Sequence, residues 1–307
     1  MCCLFGLMDY KHTLTGRQKS RIISVLSREC EVRGTDATGV AYNSNGRLRI
    51  YKRPVAAHKL HLRIPEDAYT IMGHVRMTTQ GSEKFNPNNH PFLGSAGGER
   101  FALAHNGVLY NDELLRRTMD LPSTRIQTDS YIAVQLLQQK KALDLNSLMY
   151  MAEQVEGSFA FTVMDDRNRL YFVKGDNPLC MYHYPCAGIL IYASTEEILK
   201  KALSKLRLSL GRLERITLSC GELLRVGNRG ELQRGSFCTD NLFQGWYVPY
   251  LSLPRSKKRK QTRNCQYVDN IKSVACYFGL TDEDVDELLD DGFTPEELEE
   301  YLYSGQI

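Results

Sequence analysis

Short runs of β-prone residues, each bounded by turn residues, recur along the chain and constrain its fold more than any other feature. Eight such runs predict strands: Leu48–Lys52, Tyr69–His74, Phe101–Ala104, Phe159–Met164, Leu170–Lys174, Met181–Tyr184, Gly188–Tyr192 and Gly221–Val226. Three further segments have helical patterns: Ser130–Gln139, Leu145–Gln154 and Glu196–Leu206. Because strands dominate and helices enter in blocks, the sequence predicts an α+β domain in which sheets pack on each other with helices outside.

A change in charge divides the chain near residue 260. Residues 255–263 carry six basic side chains and no acidic one, whereas residues 264–307 carry twelve acidic side chains and one lysine. Such a switch in composition marks a linker followed by a separate module. We therefore predict a main domain at 2–240, a basic linker at 241–265 and an acidic module at 266–307.

The acidic module has the pattern of a small helical bundle. Apolar residues recur at helical spacing over 271–278. Two capping-box starts follow, at Thr281 and at Thr294-Pro295, the second with proline at the first helical position. We interpret the module as a site for partner docking or oligomerisation, and a homo-oligomer is compatible with the sequence.

Composition and motif spacing exclude several classes of protein. The chain has no run of 18 apolar residues and no signal peptide, so we expect no membrane partner, a cytoplasmic location and nine reduced cysteines. Without a CxxC pair or paired histidine spacing, we expect no metal site, and no cofactor is indicated. The basic run at 257–260 lacks interleaved aromatic residues, which favours a solvated linker over nucleic-acid contact.

Cys2 is the first candidate for chemistry. Removal of Met1 would give one residue a thiol and a free α-amine, whose reference pKa values lie near 8.5 and 7.7–8.0. Proton transfer between the two groups is then nearly isoenergetic around neutral pH, so the amine serves as the base for the thiol. The alternative is that Cys2 is a small buried hydrophobe.

Three further segments each allow a structural or a functional interpretation, and a fourth has a structural interpretation only. Arg76 follows a buried-looking strand and forms either a structural ion pair or a bidentate clamp for a carboxylate. His105-Asn106-Gly107 is either a hairpin turn or a pair of donors for an oxyanion. Asp129 precedes a helix, where an N-cap is the ordinary explanation. The glycine-rich segment 33–39 indicates a tight loop.

Together and in this order, the segments resemble the motifs of class II glutamine amidotransferases, whose glutaminase domain is an N-terminal-nucleophile hydrolase. The family's opening Cys-Gly-Ile-Phe-Gly corresponds to Cys2-Cys3-Leu4-Phe5-Gly6, and its Arg-Gly-x-Asp-Ser-x-Gly corresponds to residues 33–39. Its Gly-His-x-Arg-x-x-Thr matches residues 73–79, its His-Asn-Gly matches residues 105–107, and its helix-starting aspartate matches Asp129. The resemblance covers residues 2–235 and implies a four-layer αββα sandwich.

The resemblance also implies a role for each matched residue. Cys2 would attack the side-chain amide of L-glutamine, and Asn106 and Gly107 would hold the oxyanion. Arg76 would bind the substrate carboxylate and Asp129 the ammonium. The remaining matched residues would position the N-terminus (Arg33, Gly34) or line the pocket (Thr79, His90).

Four residues depart from the family's usual pattern around this site. Cys3 replaces a glycine and is expected to add a side chain beside the nucleophile. Met77 stands where sugar-amidating members have tryptophan, Thr78 replaces an alanine, and Gln80 replaces a histidine. None of the four removes a catalytic group.

The resemblance implies an enzyme that hydrolyses glutamine to glutamate and ammonia. Family members usually carry a second catalytic domain that consumes the ammonia, and only about 70 residues follow the matched region. We therefore expect a glutaminase subunit that supplies a separate ammonia-accepting synthase. Two alternatives stay open: a catalytically silent glutamine-binding regulator, and an N-terminal-cysteine hydrolase of another amide.

Overall fold

Two antiparallel sheets form the framework of the first 242 residues in the computed structural model. The model describes residues 2–242 and, beyond them, 268, 271–272, 275, 280–290, 293 and 298. The strands of this part of the chain are β1 (Cys3–Asp9), β2 (Ala37–Ser44), β3 (Arg47–Arg53), β4 (Thr70–Arg76), β5 (Phe92–Ala96), β6 (Glu99–Leu109), β7 (Gly157–Asp165), β8 (Leu170–Lys174), β9 (Cys180–Tyr184), β10 (Ile189–Ala193), β11 (Glu214–Ile216), β12 (Glu222–Val226) and β13 (Leu232–Ser236).

The strand order of each sheet determines which strand ends lie next to each other. The first sheet has the order β11-β9-β10-β1-β4-β2-β3, which places β1 at its centre. The second has the order β13-β12-β8-β7-β6-β5, in which residues 101–109 of β6 pair with β7. The N-terminal end of β1 therefore meets the C-terminal end of its antiparallel neighbour β4, where Cys3 pairs with Val75.

Helices cover the outer face of each sheet. The helices in this part of the chain are α1 (Gly16–Glu29), α2 (Asp112–Thr118), α3 (Tyr131–Lys140), α4 (Leu145–Gln154) and α5 (Glu196–Leu206). One apolar core joins α1 and α5 to the first sheet, and a second joins α3 and α4 to the second sheet. A third lies between the sheets, where Leu4 and Met72 of the first share a core with Ala104 and Phe172 of the second. The predicted α+β sandwich with αββα layers is confirmed.

Local sequence patterns predict several elements to the residue. The segments Leu145–Gln154, Leu170–Lys174 and Glu196–Leu206 are α4, β8 and α5 with the predicted bounds. Other predicted strands differ from the observed ones by a few residues at their ends. The alternative that residues 105–107 form a hairpin turn is wrong, because they lie inside β6.

The chain divides into two compact units, Met1–Val248 and Pro249–Ile307. In the second unit, α6 (Asp282–Asp290) begins at the predicted capping box, where Thr281 Oγ1 accepts the Asp284 N–H at 3.2 Å and the Asp284 carboxylate accepts the Thr281 N–H at 2.6 Å. Ile271, Ala275, Val285 and Leu298 share an apolar core.

The second predicted capping box, at Thr294-Pro295, and the basic run at 255–263 lie outside the described residues, as does the predicted linker from residue 243 onward. The domain limits at 240 and 265 stay predictions. None of the helices in the described ranges is long and apolar enough to cross a membrane.

Candidate active site

The alternation of side chains along β1 determines where Cys2 points. Cys3 and Phe5 belong to the core between the first sheet and its helices, whereas Leu4 belongs to the core between the two sheets. Successive side chains of a strand point to opposite faces. Cys2, one residue before β1, therefore shares the orientation of Leu4 and points toward the second sheet. Cys3 points away from it, so the side chain that it adds next to Cys2 in sequence lies in the helix-side core and not in the cavity.

The same alternation along β6 directs Asn106 toward the first sheet. Leu103 and Leu109 lie in the helix-side core, whereas Ala102 and Ala104 lie between the sheets, and Asn106 has their parity. Asn106 is fully buried, and within the described part of the chain neither its amide nitrogen nor its amide oxygen has a hydrogen-bond partner. An unpaired buried amide costs roughly 1–3 kcal/mol, so its retention indicates a partner that arrives with a ligand.

A small cavity collects most of the predicted site residues at the ends of β1, β4 and β6. It holds space for about one water molecule. Its lining residues are Cys2, Arg76, Met77, Thr79, Gln80, His90, His105, Gly107, Thr128, Asp129 and Ser130. The other three predicted residues, Arg33, Gly34 and Asn106, lie outside this lining and next to members of it in sequence or in space.

Gly107 continues the cavity wall after Asn106. Its backbone has φ +140°, a conformation that favours glycine, and a Cβ atom there would collide with the carbonyl oxygen of Ser158. The backbone of β6 can therefore bend at this position without a side chain filling the space beside Cys2.

Two hydrogen bonds hold Cys2, and a close approach of Gly34 to β4 lies beside them. The Cys2 Sγ donates to the carbonyl of Met77 at 3.4 Å, and Arg33 Nε donates to the carbonyl of Cys2 at 2.9 Å. Gly34 lies against the backbone of Arg76, where a Cβ atom would approach the carbonyl to 2.6 Å. Burial raises the pKa of the Cys2 thiol, against the opposing effects of the Met77 hydrogen bond and the Arg76 charge. The thiol is therefore protonated at neutral pH and needs a base.

Arg76, the last residue of β4, is buried and held by neutral acceptors. Its Nη1 donates to Asn89 Oδ1 at 2.7 Å, and its Nη2 donates to the carbonyls of Gln80 at 2.6 Å and Gly81 at 2.8 Å. Among residues 2–242 no carboxylate forms an ion pair with it. The interpretation of Arg76 as a structural ion pair is therefore wrong for this part of the chain. Its charge borders the cavity, and Asp129, Asp36 and Glu83 stabilise it from a distance.

Asp129 lies before α3 and does not cap it. The N-cap residue is Ser130, whose side chain makes no capping bond. Asp129 Oδ2 instead accepts the N–H of Leu109 at 2.7 Å, and its Oδ1 accepts the Ser130 hydroxyl at 3.2 Å. Burial raises the pKa of this carboxyl, so a cation bound beside it would stabilise the ionised form.

Three residues to which the sequence interpretation gave no role in the site lie between Arg76 and Asp129. Gln80 accepts from Arg76 through its carbonyl and from the Asp129 N–H through its side chain, the latter at 2.8 Å. Asn89 binds Arg76, and Asn88 Oδ1 accepts the N–H of Gln127 at 2.9 Å, two residues before Asp129. The asparagine-rich run at 86–89 is the sequence feature that indicates a role for Asn88 and Asn89, because asparagine side chains commonly bind nearby backbone groups.

Three buried histidines lie close to the cavity, and the ring of His105 packs against Phe161 on the helix side of the second sheet. His74 Nε2 is 2.9 Å from the carbonyl of His105, and the rings of His74 and His90 are 4.2 Å apart. Burial lowers the pKa of His74 and of His105 to about 3, and that of His90 well below its usual range. All three are neutral at pH 7 and are weak bases. Across the described residues, no three His, Cys, Asp or Glu side chains form a group that could hold a metal ion.

Comparison of the sequence with known proteins shows which family it resembles. The family model described as "Glutamine amidotransferase domain" matches residues 74–201, the region that contains Arg76, Gly107 and Asp129. This stretch of the chain is similar to glutamine amidotransferase domains. The resemblance predicted from the motifs is thereby confirmed.

Two curated proteins are similar to a longer part of the chain than the family model matches. The glutamine–fructose-6-phosphate aminotransferase (isomerizing) of Bacillus cereus is 29% identical over 188 residues, which are 58% of this chain and 30% of that protein. The 7-cyano-7-deazaguanine synthase 2 of Sulfurisphaera tokodaii is 26% identical over 207 residues, which are 64% of this chain and 44% of that protein. The matched part of the chain thus spans less than half the length of either relative.

A solved structure shares the fold. The glutamine phosphoribosylpyrophosphate amidotransferase of B. subtilis superposes with a TM-score of 0.60 at 18% identity, over 78% of this chain and 50% of that one. The sequence relatives and the two-sheet fold are both consistent with an amidotransferase domain of the class II type.

Proposed function

We propose that the chain hydrolyses L-glutamine to glutamate and ammonia through a thioester on Cys2. The observation that carries the proposal is the cavity in which the Cys2 thiol, the buried Arg76 and the buried Asp129 meet, beside the unpartnered amide of Asn106. Glutamine presents a carboxylate, an ammonium and an amide carbonyl, and each has a complementary group here.

The two charged residues match the two ends of a free amino acid. Arg76 offers a fixed, always-charged guanidinium to a carboxylate, and Asp129 offers a carboxylate whose pKa an ammonium would lower. A hydrolase of simple amides has no need for both groups, so the pair favours glutamine as the substrate. The cavity holds only about one water in this state, so its lining must open as glutamine enters.

The chemistry follows from the groups around Cys2. After removal of Met1, the Cys2 α-amine takes the thiol proton and the thiolate attacks the amide carbon of glutamine. The Asn106 amide and the Gly107 N–H stabilise the oxyanion, and the amine returns the proton to departing ammonia. Water then hydrolyses the thioester to glutamate. The neighbouring histidines are weak bases, which supports the α-amine as the proton acceptor.

Replacement of Arg76 by lysine tests the carboxylate site. Lysine keeps the charge but cannot hold Asn89, the Gln80 carbonyl and a substrate carboxylate in one plane. We expect the KM for glutamine to rise about 10- to 100-fold, the effect of losing roughly 1.5–3 kcal/mol of charge-assisted hydrogen bonding, with kcat changed only a few-fold. Steady-state glutamate release measures both constants, with Arg225→Lys on β12 as the matched control. An unchanged KM in the Arg76 variant would contradict this role.

The ammonia is proposed to reach a separate synthase. Support comes from the curated relatives, in which the matched region is less than half of a larger protein. A glutamine-dependent amination assay with a co-purifying synthase tests the supply, and the Cys2→Ala chain should leave only amination by free ammonium. If wild type binds glutamine and releases no glutamate, the chain is a silent glutamine-binding regulator. If it releases ammonia faster from another amide, it is a hydrolase of a different class.

A further inference from the structure

The segment 86–91 is the scaffold of the charged half of the site. Asn88 and Asn89 are fully buried in it, one bound to Gln127 and the other to Arg76. Asn89 also donates to the carbonyl of Glu83 at 2.8 Å, which fixes the loop between β4 and this segment. The position of the Arg76 guanidinium therefore depends on where residues 86–91 lie.

A lysine from β3 holds this segment by its backbone. Lys52 Nζ donates to the carbonyl of Asn89, to the carbonyl of Pro91 at 3.1 Å and to the carbonyl of Pro87 at 3.4 Å. These are alternate residues, so one ammonium ties the whole segment to the strand. Gly39, which pairs with Lys52 across β2 and β3, leaves room for the backbone at His90, where a Cβ atom would collide with its carbonyl.

The surroundings of the Lys52 ammonium disfavour its positive charge. Its acceptors are neutral carbonyls, and in the described part of the chain no carboxylate pairs with it. Burial and the charge of Arg76 lower its pKa to about 8. The other titratable groups that face it, His74 and His90, are neutral at that pH and supply no compensating charge. An apolar side chain at position 52 would avoid the cost of burying a charge. The role of the lysine therefore lies in the hydrogen bonds that it donates to the segment 86–91.

We propose that Lys52 is a positioning residue that sets the carboxylate-binding geometry of Arg76 through the Asn89 backbone. The inference rests on the proposed function, because it assigns Lys52 to the glutamine site. Lys52 touches no reacting atom and acts by fixing the Asn89 side chain that orients the guanidinium.

The test is steady-state glutamate release by Lys52→Met and Lys52→Arg, with glutamine binding measured by calorimetry in the Cys2→Ala background. Displacement of the guanidinium by an ångström or less should raise the KM of Lys52→Met about 10- to 100-fold and weaken glutamine binding equally. The kcat should change only a few-fold. Lys52→Arg keeps a donor to the same carbonyls and should restore most of the affinity.

A pH profile separates positioning from a general loss of stability. Lys52 is charged below pH 8 and neutral above it, so the KM of wild type should rise as the pH passes through about 8. The substrate ammonium and the N-terminal amine titrate nearby in every variant, but arginine at position 52 stays charged. The rise in Lys52→Arg should therefore be smaller than in wild type, and this comparison holds even if Lys52→Met fails to fold.

Lys174→Met is the matched control. Lys174 is also a half-buried lysine whose Nζ donates to backbone carbonyls, those of Gly175 at 2.7 Å and Asp176 at 3.3 Å. We expect it to change stability but not the KM. An unchanged KM and unchanged binding in folded Lys52→Met, or identical pH profiles for wild type and Lys52→Arg, would overturn the inference alone. Absence of glutamine binding and hydrolysis in wild type would overturn the proposed function and the inference with it.

Discussion

Replacement of Cys2 by alanine is expected to lower glutamate release from L-glutamine by at least about 10⁴-fold, to the background of the assay. Without the thiol no thioester forms, and the weakly basic histidines around the cavity offer no alternative nucleophile or base. Glutamine binding should persist in the variant, because Arg76 and Asp129 are unchanged. Calorimetry measures that binding, and a coupled glutamate assay measures the rate.

Cys3→Ala is the matched control for this experiment. Cys3 is the adjacent cysteine, fully buried, with its side chain in the core between the first sheet and its helices. It should cost stability and leave the rate of glutamate release within a few-fold of wild type. Glutamate release by Cys2→Ala at a tenth of the wild-type rate or more would exclude Cys2 as the nucleophile.

Replacement of Asn106 by alanine should separate catalysis from stability. Loss of one oxyanion donor is expected to lower kcat by about 10²–10³-fold, with KM changed only a few-fold. Both amide atoms of Asn106 lack partners in the described part of the chain, so their removal breaks no hydrogen bond of the free protein. Relief of the unpaired amide and loss of the side chain's packing act in opposite directions, so the free energy of unfolding should fall by no more than about 1 kcal/mol. Steady-state kinetics and urea denaturation measure the two effects.

Asn43→Ala is the matched control, for which we expect a loss of stability without a loss of catalysis. Asn43 is a buried asparagine on β2 whose Nδ2 donates to the Asp165 carbonyl at 2.8 Å and to Asn168 Oδ1 at 3.0 Å. Its removal leaves those groups unpaired and should cost about 1–3 kcal/mol of stability while kcat stays near wild type. If Asn106→Ala instead lost stability and kept its kcat, Asn106 would be a structural residue and the oxyanion assignment would be wrong.

The sequence predicts those elements whose neighbours along the chain decide their structure. The bounds of α4 and β8 follow from local periodicity and flanking turn residues. β1 has no such pattern, because Cys3–Asp9 is buried on both faces and shows no alternation of apolar and polar residues. The orientation of Cys3 away from the site emerges only once β1 is known to be a strand between two cores.

The sequence predicts the site residues whose type is set by the chemistry of the reaction. It does not predict the contacts that hold those residues in place. The motif residues Cys2, Arg76, Gly107 and Asp129 carry their chemistry in the sequence, and the structure brings them to one cavity. The bonds that hold Arg76 and Asp129 in place join residues far apart in the chain. Lys52 meets Asn89 across 37 positions, and Gln80 meets Asp129 across 49, so local patterns contain no sign of them.

The central claim is that Cys2 acts as an N-terminal nucleophile on glutamine. Intact-mass spectrometry of wild type, acid-quenched during turnover of L-glutamine, tests it most directly. We predict a chain that begins at Cys2 and a transient species heavier by one glutamyl group, with the group mapped to the N-terminal peptide and absent from Cys2→Ala. An active chain that retains Met1, or a glutamyl group on any other residue, would contradict the account.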